Sequence, residues 1–96
     1  MGEAIFLAGS VRTPIGRFGG SLAPLSAPDL GEFAARAALE RAGLAADAVD
    51  ESIFGHGRQA GQGPSTGRQV AVRAGVPVER PAWTVNMACG SALKSV

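Results

Sequence analysis

Residues 26–43 carry both ends of one helix in their own sequence, and this limits what can lie on either side. Ser26 is a capping residue, Asp29 follows three positions later as in a capping box, Pro28 is tolerated in a first turn, and Gly43 is a C-terminal stop. Between them Leu30, Phe33, Ala34, Ala37, Ala38 and Ala42 recur at the spacing of one helical face, opposite Glu32, Arg36 and Glu40. A face so rich in alanine lets a helix lie close against a sheet.

The flanking segments supply candidate strands. Ala4–Leu7 is an apolar run without polar alternation, which predicts a central strand covered on both sides. Ser52–Gly55 predicts a second strand, and roughly Ala82–Val85 a third. Between these two, Ser65 or Thr66 is placed to cap a second helix, with Val70, Ala71 and Ala74 toward the core and Gly75 and Pro77 closing it. Residues 9–28, with Pro14, Gly16, Gly19, Gly20, Pro24 and Pro28, predict a long ordered loop. The acidic residues Asp47, Asp50 and Glu51 predict a solvated turn without chemistry. Strand, helix, strand, helix, strand, helix start is the order of an α/β fold with a parallel or mixed sheet and right-handed crossovers.

At 96 residues the core is modest, and 46% hydrophobic with 18% charged residues in short runs describes a folded chain, not a disordered one. The formal charge of +1, with both signs interspersed, provides no basic stripe for nucleic acid and no charged face for a membrane. The run Ala4–Ala8 is too short to span a bilayer, and Arg12 follows it instead of preceding it, unlike a signal peptide. Phe6 stands where a myristoylation signal needs Ser or Thr. One cysteine forms no internal disulfide, and no ligand spacing suits a metal, so the expectation is a cytoplasmic protein without a metal.

That cysteine, Cys89, lies where the third strand gives way to a helix start. The first turn of a helix offers unpaired N–H groups and partial positive charge, an environment that favours a thiolate. A lone cysteine is more often a small buried hydrophobe, and here the neighbours decide. Asn86–Val96 reads NMACGSALKSV, and it resembles the nucleophile segment of the thiolases. VRTPIGRFGGSL, residues 11–22, is similar to the segment after their first strand, and RQVAVRAGVP, residues 68–77, to their second helix. The resemblance runs over essentially the whole chain, which matches only the opening portion of a thiolase.

It implies a thiolase-like layered α/β fold, present as an incomplete N-terminal βαβαβα portion over residues 1–96 that stops just after the nucleophile elbow. It implies that Cys89 is the catalytic nucleophile, that coenzyme A thioesters are substrates with no permanently bound cofactor, and that the assembly is a homodimer or homotetramer. The activating His, in a Gly-His-Pro motif, and a second catalytic Cys, in Cys-x-Gly, belong to later parts of the family's sequence, so the remainder of a thiolase polypeptide is the expected partner. Ala92 stands where Gly is common in the family, and Ala88 immediately precedes the nucleophile. A methyl group at Ala92 bears on acyl-chain preference and leaves the reaction class intact.

Two other classes compete. Gly55–Ala60, GHGRQA, has the spacing of a dinucleotide fingerprint after a strand, but Gly61, Gly63 and Pro64 interrupt the helix such a motif needs. A non-catalytic thiolase-like subunit is the other. His56 is the only imidazole and belongs to a different segment from the family's activating His, so it reads as structural. Arg12, Arg17, Arg58 and Arg68 are candidates for phosphate contacts, with nothing in the sequence to choose among them.

Overall fold

The computed structural model describes residues 2–96. Helix α1 spans Ala27–Ala42. Its start is the capping box that the sequence predicts: the Ser26 backbone N–H donates to Asp29 Oδ2 at 2.8 Å, and the Asp29 N–H donates to Ser26 Oγ at 3.2 Å. Its end is Gly43, whose φ of 70° lets the Leu44 N–H turn back to the Leu39 carbonyl at 3.0 Å.

Strand β1, Ser52–Gly55, pairs in parallel with β2, Ala82–Val85, with Ser52 opposite Ala82 and Gly55 opposite Val85. Helix α2, Thr66–Arg73, makes the crossover between them. Ser65 is its cap, accepting from the Arg68 N–H. After α2 the Val76 N–H returns to the Ala71 carbonyl at 3.0 Å around Gly75, so the predicted stop falls where the sequence places it. A short helix α3, Ser91–Lys94, closes the order after a single 3₁₀ turn at Ala88–Gly90.

Two expectations differ from the structure. Ala4–Leu7 forms no strand: the segment has no ladder partner, and Ile5, Phe6 and Leu7 are 91%, 83% and 84% exposed. An apolar run becomes a strand only when a second edge satisfies its backbone groups, and the described sheet has two strands, not three. The chain is held instead from Gly9 onward, where an added Cβ would lie 2.5 Å from the Ala38 carbonyl oxygen and where Arg41 donates to the Ser10 carbonyl at 2.8 Å.

The buried seam of α1 is also rotated from its predicted face. Phe33 is 60% exposed and Ala37 is exposed, whereas Pro28 is buried and Gly31 lies directly against Val70. The two helices approach at the glycine, which brings Ala35, Ala38 and Leu39 toward Phe54, Val70 and Val76 around an open apolar cleft of about 230 Å³. Val70, Ala71, Ala74 and Val76 form the core between helices and sheet.

Ion pairs join the ends of these elements. Arg73 at the end of α2 meets Asp29 at 3.0 Å, and Arg80 meets Asp50 at 3.1 Å. Glu51 accepts from Trp83 Nε1 of β2 at 2.8 Å, while Asp47, Asp50 and Glu51 all stay exposed, as a solvated turn requires. No helix among the described residues is long and apolar enough to cross a membrane.

The capping box makes the start of α1 sensitive to acid. The Asp29 carboxyl is held below its ordinary value of 3.8, first by the Ser26 backbone N–H and next by the Ser26 hydroxyl, with desolvation opposing and Arg73 adding to the effect. A carboxylate whose folded pKa is depressed stabilises fully above its unfolded pKa and loses that contribution as pH falls through the folded value. Thermal midpoints of the intact protein are therefore expected to decline below about pH 4, and Asp29→Asn is expected to flatten that part of the profile. An unchanged acid limb in Asp29→Asn removes Asp29 from the account.

Candidate active site

The link from β2 to α3 is shaped by two polar side chains, Asn86 and Ser91. Asn86 Oδ1 accepts from the Ala88 N–H at 2.9 Å, bending the chain immediately after the strand. Ser91, 4% exposed, accepts from the Met87 N–H at 2.9 Å and donates to the Ala88 carbonyl at 2.7 Å. Caught between them, Ala88 adopts a φ of 49°, a left-handed conformation unusual for a residue with a side chain. Cys89 is the next residue.

Cys89 is exposed and unbridged. Together with Gly57, Arg58 and Ala88 it lines an open cavity of about 310 Å³. The sequence predicts the sulfur at a helix start, and the structure places it one step earlier, within the 3₁₀ turn that precedes Ser91. Its backbone N–H makes no hydrogen bond to any described residue, leaving a donor free beside the thiol.

The opposite wall comes from the end of β1. The His56 N–H donates to the Val85 carbonyl at 3.0 Å, extending the strand pairing, and Asn86 Nδ2 donates to the Gly57 carbonyl at 3.1 Å. Strand β1 can pass this close to α3 because residue 55 is glycine: an added Cβ would lie 2.5 Å from the Ala92 nitrogen and still nearer the Ser91 carbonyl.

His56 is drawn away from the sulfur. Its Nδ1 lies 2.7 Å from Thr66 Oγ1 in the first turn of α2, which is the structural role expected of it. Of the four arginines, Arg58 reaches the Cys89 cavity and forms no ion pair with a described residue. Arg68 donates to the carbonyls of Val78 and Arg80 and so braces the turn before β2. Arg12 lines a separate open groove with Ser10, Val11, Ala37 and Arg41, away from Cys89.

Gly55–Ala60 forms a strand end and a loop, and the next helix after it begins only at Thr66. The N-terminus that a dinucleotide pyrophosphate would need after those glycines is absent at that point. No group of three or more His, Cys, Asp or Glu residues able to hold a metal occurs among the described residues. The sequence reading missed Asn86 and Ser91 as shapers of the turn. The Asn-x-Ala spacing, which suits a side-chain turn to the residue two positions on, is the signal for the first.

These features define an α/β segment in which a parallel strand pair presents an accessible cysteine at a tight strand-to-helix turn. The chain belongs to the thiolase family: residues 5–96 match the model of the thiolase N-terminal domain. It is 47% identical over 92 residues to an acetyl-CoA acetyltransferase of Cupriavidus necator, covering 96% of this chain and 23% of that protein. An acetyl-CoA acetyltransferase of Clostridioides difficile is 45% identical over 91 residues, covering 95% of this chain and 85% of that sequence. The crystal structure of the Acat5 thiolase of Ascaris suum, in complex with coenzyme A, superposes with a TM-score of 0.85 at 37% identity, over 88% of this chain and 22% of that one. The chain thus spans under a quarter of the Cupriavidus protein and of the solved thiolase.

Proposed function

We propose that this chain carries the nucleophile of a thiolase-type acyl-CoA acyltransferase and that Cys89 is that nucleophile. The observation that supports this most directly is the exposed Cys89 thiol on an open cavity, next to its own unengaged backbone N–H. In the thiolytic direction the Cys89 sulfur attacks the 3-keto carbon of a 3-ketoacyl-CoA, and the carbonyl oxygen becomes an oxyanion that the free N–H can stabilise. Collapse breaks the bond between the second and third acyl carbons. The acyl group stays on sulfur, and the departing carbanion takes a proton to become acetyl-CoA.

The thiol of coenzyme A then attacks the S-acyl-cysteine and releases the shortened acyl-CoA. In the opposite direction the carbanion of acetyl-CoA attacks acetylated Cys89 and forms the carbon–carbon bond. The proton donor for the carbanion and the base for the incoming thiol are not supplied by His56, which is engaged with Thr66. In this proposal they come from the remainder of the thiolase polypeptide, in the Gly-His-Pro and Cys-x-Gly segments that the resemblance implies.

Coenzyme A thioesters enter as substrates, with no resident cofactor. The remainder of the polypeptide covers the exposed apolar side chains Ile5, Phe6, Phe18 and Leu93, and the complete protein assembles as a homodimer or homotetramer, as the family resemblance implies. A reducing cytoplasm suits the unbridged Cys89 thiol.

Incubating the full polypeptide with acetyl-CoA is expected to leave one acetyl group per chain, recovered by mass spectrometry on the peptide that contains Cys89. An intact, folded assembly that never becomes acetylated favours the non-catalytic subunit instead.

A further inference from the structure

Asn86 bonds to both walls of the Cys89 cavity. Its Nδ2 donates to the Gly57 carbonyl at 3.1 Å, and its Oδ1 accepts from the Ala88 N–H at 2.9 Å. The two bonds fix the amide in one sense, because the reversed orientation would face an N–H with an NH₂ and a carbonyl with an oxygen. Gly57 and Arg58 form one side of the cavity, Ala88 and Cys89 the other.

We propose that Asn86 is the positioning residue of Cys89, a single side-chain amide that sets the separation between the thiol and the Gly57–Arg58 wall. This rests on the acyl-transfer reading of the same site.

The local backbone supports the assignment. Ala88 holds a φ of 49°, and residues with side chains remain in that region only where their surroundings enforce it. The Asn86 acceptor and the Ser91 hydroxyl are the enforcing contacts, on the N–H and carbonyl of Ala88 respectively. The Ser91 contacts stay within the turn, whereas Asn86 also reaches across to the other strand end. Without the Asn86 amide, the turn keeps its Ser91 brace but loses its registration against Gly57. The sulfur remains accessible while its direction of approach to a bound carbonyl becomes variable, and misplacement by about 1 Å costs on the order of 100-fold in a reaction that depends on alignment.

The test compares two reactions of the same sulfur in the full polypeptide. Acylation by acetyl-CoA demands an aligned approach, whereas alkylation by iodoacetamide requires only an accessible thiolate. Asn86→Ala is expected to slow acylation by about 10- to 100-fold at little change in KM, with alkylation within about threefold of the parent and an unchanged far-ultraviolet spectrum. Asn86→Ser keeps a short acceptor for the Ala88 N–H but cannot span to Gly57, so it is expected to recover part of the loss. If the alanine variant does not fold, the serine variant carries the same comparison on its own.

Acylation within twofold of the parent in the folded variant overturns the proposal, as does an equal fall in acylation and alkylation. A parent that acylates while being indifferent to residue 86 overturns the positioning role alone. A parent that never acylates overturns the acyl-transfer reading and this role with it.

Discussion

Replacing Cys89 by serine in the complete protein is expected to lower turnover of acetyl-CoA by about 10⁴-fold or more while leaving the fold in place. The two halves of that expectation have different physical origins. Loss of rate follows from the nucleophile: a serine hydroxyl lacks the acidity and the polarisable lone pairs of a thiol, so beside the same base it is far less nucleophilic. The one imidazole within these 96 residues, that of His56, is bonded to Thr66 and does not line the cavity. Retention of the fold follows from exposure, because a side chain on the surface of an open cavity contributes within about 0.5 kcal/mol to stability.

Loss of the acetyl adduct, loss of turnover and an unchanged thermal midpoint therefore belong together. Turnover within tenfold of the parent would assign the chemistry to another residue. Cys89→Ala removes the nucleophile altogether and is expected to abolish the adduct, and any turnover of the serine variant above that of the alanine variant would measure what the base of the remaining polypeptide can do for a hydroxyl.

The parts of this fold that were legible in the sequence are those fixed by neighbours a few residues apart. The ends of α1 depend on Ser26, Asp29 and Gly43, each acting within one turn, and the sequence places them correctly. Strands β1 and β2 are short β-prone runs bounded by turn residues, and their limits also agree.

Ala4–Leu7 illustrates the opposite case. Its composition is that of a buried strand, but pairing is a property of two segments, and composition within one segment does not reveal whether an edge lies beside it. The same holds for the rotation of α1, which is decided by Gly31 meeting Val70 across to α2 and not by the count of alanines on a face. At the site, the motif led to Cys89, whereas the positive φ of Ala88 was invisible because alanine rarely adopts it. Asn86 and Ser91, which impose that conformation, were seen only as part of the motif.

Gly55→Ala is expected to destabilise the protein by roughly 3 kcal/mol, the largest stability effect among the substitutions considered, and to impair catalysis as well. The added methyl would meet the Ser91 carbonyl and lie 2.5 Å from the Ala92 nitrogen. Both are backbone atoms of α3, so no side-chain rotation relieves the overlap, and the strand and helix must separate. Separation moves Ser91, whose hydroxyl accepts from the Met87 N–H and donates to the Ala88 carbonyl, and so disturbs the turn that aims Cys89.

Gly90→Ala is the matched control. The methyl there meets nothing nearer than the Met87 Cβ at 4.0 Å, so a change within about 0.5 kcal/mol is expected. Urea denaturation separates the two, since the Gly55 variant should lower the midpoint at unchanged slope while the Gly90 variant leaves it in place. The catalytic consequence has its own signature: acetylation of the Gly55 variant, measured well below its unfolding transition, should be slower than that of the parent even where all molecules are folded. Equal midpoints for the two variants would mean that β1 and α3 are not in contact in the complete protein, and the account of how the turn is braced would fail with it.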